Sequence, residues 1–161
     1  MQDRRRAQEV RGAPGLTLHY STMRRAAETA ALIAQRQPET RAHPTPDLWE
    51  IPAVSVPAHF AHWFARFTPA QIEAGRAQAE RAYQRFFKPA RGQDRHSLIV
   101  CHGNVIRYFL SRAFELGAET WLHFDTYNAG LTQVVIERDG RLRLVTFNDA
   151  GHLPAQWRTF I

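Results

Sequence analysis

Residues 98–110 restrict the possible folds of this chain more than any other stretch, because they join a strand to a helix through one His-Gly turn. Residues 97–101 are a short apolar run with β-branched side chains, which is typical of an interior parallel strand. Gly103 allows a tight turn, and Asn104 can cap the helix that follows. The segment therefore predicts an α/β sheet with His102 at the carboxyl end of a strand, where unpaired N–H groups favour an anion.

A second strand-to-helix corner has the same plan. Residues 16–20 predict a strand, and the Ser-Thr pair after it can cap a helix whose first turn carries Arg24 and Arg25. The two arginines point about 100° apart on a helix, so only one of them can face the strand ends. That arginine could hold a phosphate bidentately. The alternatives are a surface arginine paired with Glu28 and, at the other corner, a histidine that merely caps a helix.

The rest of the chain alternates helical and extended patterns, and it contains one strong hairpin signal around an Asp-Gly turn. We predict an α/β fold, a three-layer α/β/α sandwich with a mostly parallel sheet and one antiparallel C-terminal hairpin, as a single domain over residues 1–161. The predicted helices are 23–36, 60–67, 69–87 and 104–114, and the further strands are 40–43, 131–137 and 142–147.

The chain is basic, with 21 lysines and arginines against 15 acidic residues and a net charge of +6. Apart from a cluster within residues 4–11 these charges are scattered, and no zinc-finger spacing, helix-turn-helix signature or basic aromatic strip accompanies them. We therefore expect a solvated basic surface or attraction to an anionic substrate, and we do not expect nucleic-acid binding. No apolar run approaches the ~20 residues of a membrane span, and no signal peptide is visible. A membrane partner is thus not expected, and the predicted location is cytoplasmic.

The two corners together resemble the histidine phosphatase superfamily, which has the phosphoglycerate-mutase-like fold. Residues 25–30, Arg-Ala-Ala-Glu-Thr-Ala, resemble the family motif that places the phosphate-gripping arginine at Arg25. Residues 100–107 resemble its second histidine motif, with His102 in the pocket. The sequence around His102 most resembles the family's mitochondrial protein-phosphatase branch and its bacterial relatives.

Further matches extend the resemblance towards both ends of the chain. Residues 47–50, Asp-Leu-Trp-Glu, are similar to the segment that ends in the family's proton-donating acid, here Glu50, although Ile-Pro follows where a glycine is usual. Residues 148–154 resemble the family's C-terminal turn. The resemblance implies hydrolysis of a phosphomonoester through a phosphohistidine, without a metal or cofactor. It assigns catalysis to His102, Glu50 and Arg25, and phosphate binding to Arg25, His102, Gly103 and Asn104. The implied partner is a phosphorylated protein or small molecule.

The family's nucleophile is a first histidine in an Arg-His-Gly triplet after the first strand, and this sequence has no such triplet. Only His102 of its eight histidines precedes a glycine, and we do not expect His19 or His152 to substitute. Residues 4–10 resemble the family's first helix, so the chain is predicted to be N-terminally incomplete and inactive as written. The missing strand would lie between residues 97–101 and the hairpin. The hairpin could slide over, a second copy could supply a strand in a homo-oligomer, or the strand could lie upstream.

Two other functions stay open from the sequence: a non-catalytic phosphate-binding or scaffold domain, and a basic nucleic-acid module. His59 and His62 have a spacing that could bind a metal, but without a third ligand we expect solvent-facing histidines. The four aromatic residues of the same segment predict the core face of a covering helix. They are Phe60, Trp63, Phe64 and Phe67.

Overall fold

The computed structural model describes residues 15–117 and 119–160 of the chain. Within them the strands are β1 (Thr17–Tyr20), β2 (Arg41–Pro44), β3 (Ser97–Val100), β4 (Leu131–Ile136) and β5 (Leu142–Asp149). The α-helices are α1 (Arg24–Arg36), α2 (Pro69–Phe86) and α3 (Gly103–Ala113). Short 3₁₀ helices span Pro46–Leu48, Ala58–Phe64, Thr120–His123 and Ala155–Trp157. The first-helix resemblance of residues 4–10 lies outside the described residues.

The central sheet has the strand order β2-β1-β3, and both pairings are parallel. Tyr20, the last residue of β1, lies in register with Pro44 of β2 and Val100 of β3. The carboxyl ends of all three strands therefore meet at one edge, which is where ligands bind in open α/β sheets. Strands β4 and β5 pair antiparallel. The predicted fold, a mostly parallel sheet with a C-terminal hairpin, is confirmed.

The hairpin forms a two-stranded sheet of its own among the described residues. It does not slide over to pair with β3, so this alternative for the central sheet is not adopted. Side chains connect the hairpin to the rest of the fold instead. Phe124 packs against Phe147 of β5 with ring centroids 5.4 Å apart, and the Arg138 guanidinium donates to the Gly92 carbonyl oxygen at 3.3 Å.

Helices cover both faces of the central sheet. Leu18 of β1 is fully buried, and α1 approaches the strands closely through the buried small residues Ala26 and Ala30. Successive side chains of a strand point to opposite faces, and His19 accordingly lies against Phe86 of α2, with ring centroids 4.8 Å apart. A hydrophobic core cluster lies on this second face, between α2, α3 and the loop before α2. No helix in the described residues is long and apolar enough to cross a membrane.

Helix α2 packs closely on the loop that follows β2. Thr68 caps it, since its hydroxyl accepts the Gln71 N–H at 3.2 Å and the Gln71 side chain accepts the Thr68 N–H at 2.8 Å. One turn later Gly75 lies against the loop, where a Cβ atom would come within 2.8 Å of Pro52 Cδ and 3.2 Å of Ile51 Cβ. The absence of a side chain at Gly75 therefore lets the loop dock on the helix.

The aromatic segment differs from its prediction. It folds as the 3₁₀ helix Ala58–Phe64, and none of the residues of this helix is buried. In a 3₁₀ helix side chains three residues apart lie above one another, and the rings of Phe60 and Trp63 stack with centroids 4.4 Å apart. Trp63 is 59% exposed, whereas Phe64 contacts Trp121 at the edge of the core. The aromatic spacing therefore builds a surface ridge and not a buried helix face.

Candidate functional site

The two strand-to-helix corners meet at the carboxyl ends of β1 and β3. The parallel register continues past Tyr20, and the Ser21 N–H donates to the Val100 carbonyl oxygen at 2.9 Å. This contact places Ser21 beside His102, the first residue before α3. The Ser21 Oγ and His102 Nε2 atoms are 2.8 Å apart, and both residues are buried. The sequence indicates only a helix cap at Ser21, because its partner lies 81 residues away in the chain.

The imidazole of His102 is held in its neutral form. Burial and, as the smaller contribution, the positive charge of Arg25 together lower the pKa of His102 to about 4. Ser21 Oγ also accepts the Met23 N–H at 3.3 Å. Within the described residues the Ser21 hydroxyl has no other acceptor than His102 Nε2, so we expect the hydroxyl to donate there. The ring proton of the neutral imidazole then belongs on Nδ1.

The two adjacent arginines of α1 have separate partners. The Arg24 Nε atom donates to Glu28 Oε1 at 2.7 Å on the solvent side of the helix. Arg25 turns towards the strand ends, and its Nη2 atom lies 3.9 Å from Glu50 Oε2. The structure therefore decides between the two arginines that the sequence left open: Arg25 faces the site. The helix begins at Arg24 and is capped by Met23 without a side-chain bond, so the predicted Ser-Thr cap is wrong.

Glu50 occupies the centre of the site and is largely withdrawn from water, with a quarter of its side chain exposed. Its Oε1 atom accepts the N–H groups of Ile51 and Asn104, each at 3.2 Å. Burial raises the pKa of Glu50, although these two hydrogen bonds and the charges of Arg25 and Arg107 oppose the shift. A carboxyl group with a raised pKa beside a guanidinium is suited to releasing a proton to a bound substrate.

The sequence predicts that Asn104 caps α3, and this prediction is wrong. The cap position belongs to His102, without a side-chain hydrogen bond. The Asn104 amide instead donates to the carbonyl oxygens of Ile51 and Pro52, at 3.0 and 3.3 Å. Arg107, one turn further along α3, donates to Asn104 Oδ1 at 2.9 Å and to the Phe124 carbonyl oxygen at 2.5 Å. Asn104 and Arg107 thus fasten the Glu50 loop to α3. Gly103 is buried at the start of the helix.

The other histidines considered from the sequence lie elsewhere. His19 stacks on His43 with ring centroids 5.3 Å apart, on the face that α2 covers. His152 is exposed. His59 lies 3.6 Å from Glu119, and among the described residues no group of three or more His, Cys, Asp or Glu side chains could hold a metal ion.

Cys101 directly precedes His102 and is a free thiol. Burial raises the pKa of Cys101 to about 12, so the thiol stays protonated at neutral pH. A protonated thiol is a poor nucleophile, so Cys101 fills space at the end of β3.

Comparisons with known proteins match this chain to phosphatases. A profile described as histidine phosphatase superfamily (branch 1) matches residues 1–150. The mitochondrial serine/threonine-protein phosphatase Pgam5 of Caenorhabditis elegans is 37% identical over 139 residues, which are 83% of this chain and 48% of that protein. The Xenopus laevis protein of the same name is 31% identical over 140 residues, 85% of this chain and 50% of its own length. The chain thus spans about half the length of these curated relatives.

Solved structures support the same fold. The phosphoglycerate mutase from Plasmodium falciparum aligns with a TM-score of 0.65 at 27% identity, covering 94% of this chain and 81% of that one. A mycobacterial glucosyl-3-phosphoglycerate phosphatase, solved with inorganic phosphate, aligns with a TM-score of 0.53 at 20% identity, covering 92% of this chain and 83% of that one. The second likeness concerns the fold alone.

The comparisons correct one prediction. A cytoplasmic location is contradicted, because the curated relatives are named as mitochondrial proteins. The cytoplasmic prediction depended only on the lack of a visible signal peptide or membrane span in the sequence, which does not specify a compartment. The family prediction is confirmed by the profile match over most of the chain and by relatives above 30% identity. This chain belongs to the histidine phosphatase superfamily, branch 1.

Proposed function

We propose that Arg25, Glu50 and His102 bind the phosphoryl group of a phosphomonoester and form the non-nucleophilic part of a phosphoric monoester hydrolase. The observation that carries the proposal is the meeting of the Arg25 guanidinium and the Glu50 carboxyl, 3.9 Å apart, beside the buried His102 imidazole. The long Arg25–Glu50 distance supports an anion as the better partner, because a guanidinium donates two parallel hydrogen bonds to a phosphate at closer range.

Each side chain has a separate task in this proposal. Arg25 balances the charge of the equatorial phosphoryl oxygens. His102 donates its remaining ring proton to one oxygen, while Ser21 holds the ring in place from the other nitrogen. Glu50, whose raised pKa favours the protonated form, delivers a proton to the oxygen of the leaving group. Gly103 and Asn104 remain a prediction as phosphate donors, because the Asn104 N–H is donated to Glu50.

The proposal includes binding without turnover by this chain of 161 residues. No Arg-His-Gly triplet occurs in the sequence, and neither His19 nor His152 lies at the described site. A phosphohistidine route needs a nucleophilic imidazole in line with the leaving oxygen. A second candidate function is a non-catalytic phosphate-binding domain, in which the same three side chains bind the anion without transferring it.

The class of substrate follows from the relatives as a further part of the proposal. They are named serine/threonine-protein phosphatases, which supports a phosphorylated protein as the partner over a free sugar phosphate. The exposed guanidinium of Arg25, with 60% of its side chain accessible, supports the same substrate, because a phosphorylated side chain could reach it from the protein surface.

Binding of inorganic phosphate tests the site directly. We expect phosphate to raise the Tm of this chain, since a ligand that binds only the folded state stabilises by about 2.7 kcal/mol at 100 times its Kd. Arg25→Gln should abolish the rise. Arg24→Gln is the matched control, because Arg24 is the neighbouring arginine but pairs with Glu28.

Two measurements then separate the outcomes. An unchanged Tm with phosphate, or an equal loss in both variants, contradicts the proposed site. Release of phosphate from phenyl phosphate by this chain at a rate that Arg25→Gln removes would contradict binding without turnover while leaving the site intact. Binding without release supports the non-catalytic phosphate-binding domain for this chain.

A further inference from the structure

A cavity of about 290 Å³ opens next to the candidate site, between the aromatic 3₁₀ helix and the first half of α3. Four aromatic rings form part of its wall, and polar side chains form much of the rest. The rings are those of Trp63, Phe64, Phe67 and Trp121, and the polar residues are Arg66, Asn104 and Arg107. Trp121 is fixed by its indole N–H, which donates to Ser55 Oγ at 3.0 Å. The flat rings favour a planar apolar group, and the polar side chains beside them favour a polar substituent on that group. The sequence prediction of a buried helix face left this cavity unforeseen.

The cavity shares a wall with the site through Asn104. This residue lines the cavity, and its backbone N–H donates to the Glu50 carboxylate. In the proposed function Glu50 protonates the leaving oxygen, so the leaving group lies on the Glu50 side of the phosphoryl group. A leaving group on that side points towards Asn104 and the cavity behind it.

Two arginines give the cavity its charge, and they are not equivalent. Arg107 is largely buried and satisfied, because it donates to Phe124 and Asn104 and lies 3.7 Å from an Asp125 carboxylate oxygen. Arg66 is exposed, and its guanidinium lies over the Phe67 ring at 4.8 Å from the centroid. Arg66 has no acidic partner among residues 15–117 and 119–160. Its charge is therefore available to a ligand at the open side of the cavity.

We propose that this cavity binds the leaving group of the phosphoester, an inference that rests on the proposed function. Arg66 then determines specificity for a leaving group that carries a carboxylate on an apolar body. Stacking of Arg66 on Phe67 holds the guanidinium at the rim, so little side-chain freedom is lost when a carboxylate binds. The apolar body lies against Trp63 and Trp121. In a phosphoprotein this chemistry corresponds to apolar and acidic residues next to the phosphorylated position.

Four probes test the proposal by calorimetric titration at pH 8: inorganic phosphate, phenyl phosphate, and meta- and para-carboxyphenyl phosphate. We expect phenyl phosphate to bind about threefold more tightly than phosphate, and the better carboxylated isomer to gain about another threefold, as an exposed ion pair allows. Arg66→Gln should remove only the second gain. Arg85→Gln is the matched control, because Arg85 also lies over a neighbouring phenyl ring, that of Phe86 at 5.3 Å, but does not line the cavity.

The results distinguish this inference from the proposed function. If phosphate binds and all four probes bind equally, or if Arg66→Gln and Arg85→Gln behave alike, the cavity does not receive the leaving group and the inference is overturned. If no probe binds, including phosphate, the proposed phosphoryl site itself is wrong. A gain from the ring that survives in Arg66→Gln, together with loss of the carboxylate gain, is the expected result.

Discussion

Replacing Ser21 by alanine probes the contact on which the geometry of His102 depends. Ser21 is fully buried, and its Oγ atom lies 2.8 Å from His102 Nε2 and accepts the Met23 N–H. Alanine removes this oxygen and nothing else. The substitution leaves His102 Nε2 without a partner in a buried position and also weakens the start of α1.

The size of the effect follows from these two lost partners. A buried polar group that loses its hydrogen bond costs about 1–3 kcal/mol. The Met23 N–H is only partly buried and its bond is longer, so the His102 contact dominates, and we expect a loss of about 2 kcal/mol in the free energy of unfolding. For a chain of this length, a loss of that size lowers the Tm by roughly 4–8 °C.

Urea denaturation monitored by circular dichroism measures this difference, and Ser111→Ala provides the matched control. Ser111 lies in α3, and its Oγ atom is buried with no hydrogen-bond partner among the described residues. The same oxygen is deleted there without breaking a contact, and alanine is the stronger helix former. The Ser111→Ala variant should therefore equal or exceed the parent chain in stability.

A second readout concerns the ring of His102. Nitrogen-15 NMR at pH 7 should show a neutral imidazole with its proton on Nδ1 in the parent chain, and a mixture of tautomers in Ser21→Ala. The reasoning is refuted if Ser21→Ala is no less stable than Ser111→Ala. It is also refuted if the ring proton resides on Nε2 in the parent chain.

Two further predictions concern the loop of Glu50 and the response to acid. Gly75→Ala should destabilise by about 1–3 kcal/mol by overpacking against Pro52, although the same change in an open helix stabilises by about 1 kcal/mol; an increase in the urea midpoint would contradict the close packing. Burial lowers the pKa of His102 and of His19 to about 4, the latter also through the charges of Arg85, His43 and Arg95. Between pH 6.5 and 4 the unfolded chain therefore binds protons that the folded chain does not. Urea midpoints should fall as the pH is lowered through that window and stay level above it. A midpoint that is constant from pH 7 to 5 would rule out both pKa shifts.

Local sequence patterns predicted the two corners because each depends on a few adjacent residues. The apolar run before His102 and the strand before α1 form short parallel strands with a helix directly behind, as expected. Helical geometry also showed that only one of Arg24 and Arg25 could face the strand ends. The choice between them required Glu50, which comes from a loop 25 residues later and cannot be placed by spacing.

Contacts across the sheet explain what the sequence did not predict. Ser21 reaches His102 only because β1 and β3 pair in one particular register, which no local pattern specifies. Asn104 is a good capping residue, yet its amide donates to the carbonyl oxygens of Ile51 and Pro52, which become available only when the loop docks on Gly75. The aromatic segment had a spacing compatible with either an α or a 3₁₀ helix, and packing against Trp121 accompanies the latter.

The thiol of Cys101, beside His102, provides a natural chemical probe of the candidate site. Cys101 is the sole cysteine of the sequence, and with a pKa of about 12 only about one thiol in ten thousand is ionised at pH 8. Alkylating reagents attack the thiolate, so the folded chain should react slowly. A substitution that exposes Cys101 or lowers its pKa should speed the reaction, and the alkylation rate at this one position therefore reports on the packing where β3 meets α3.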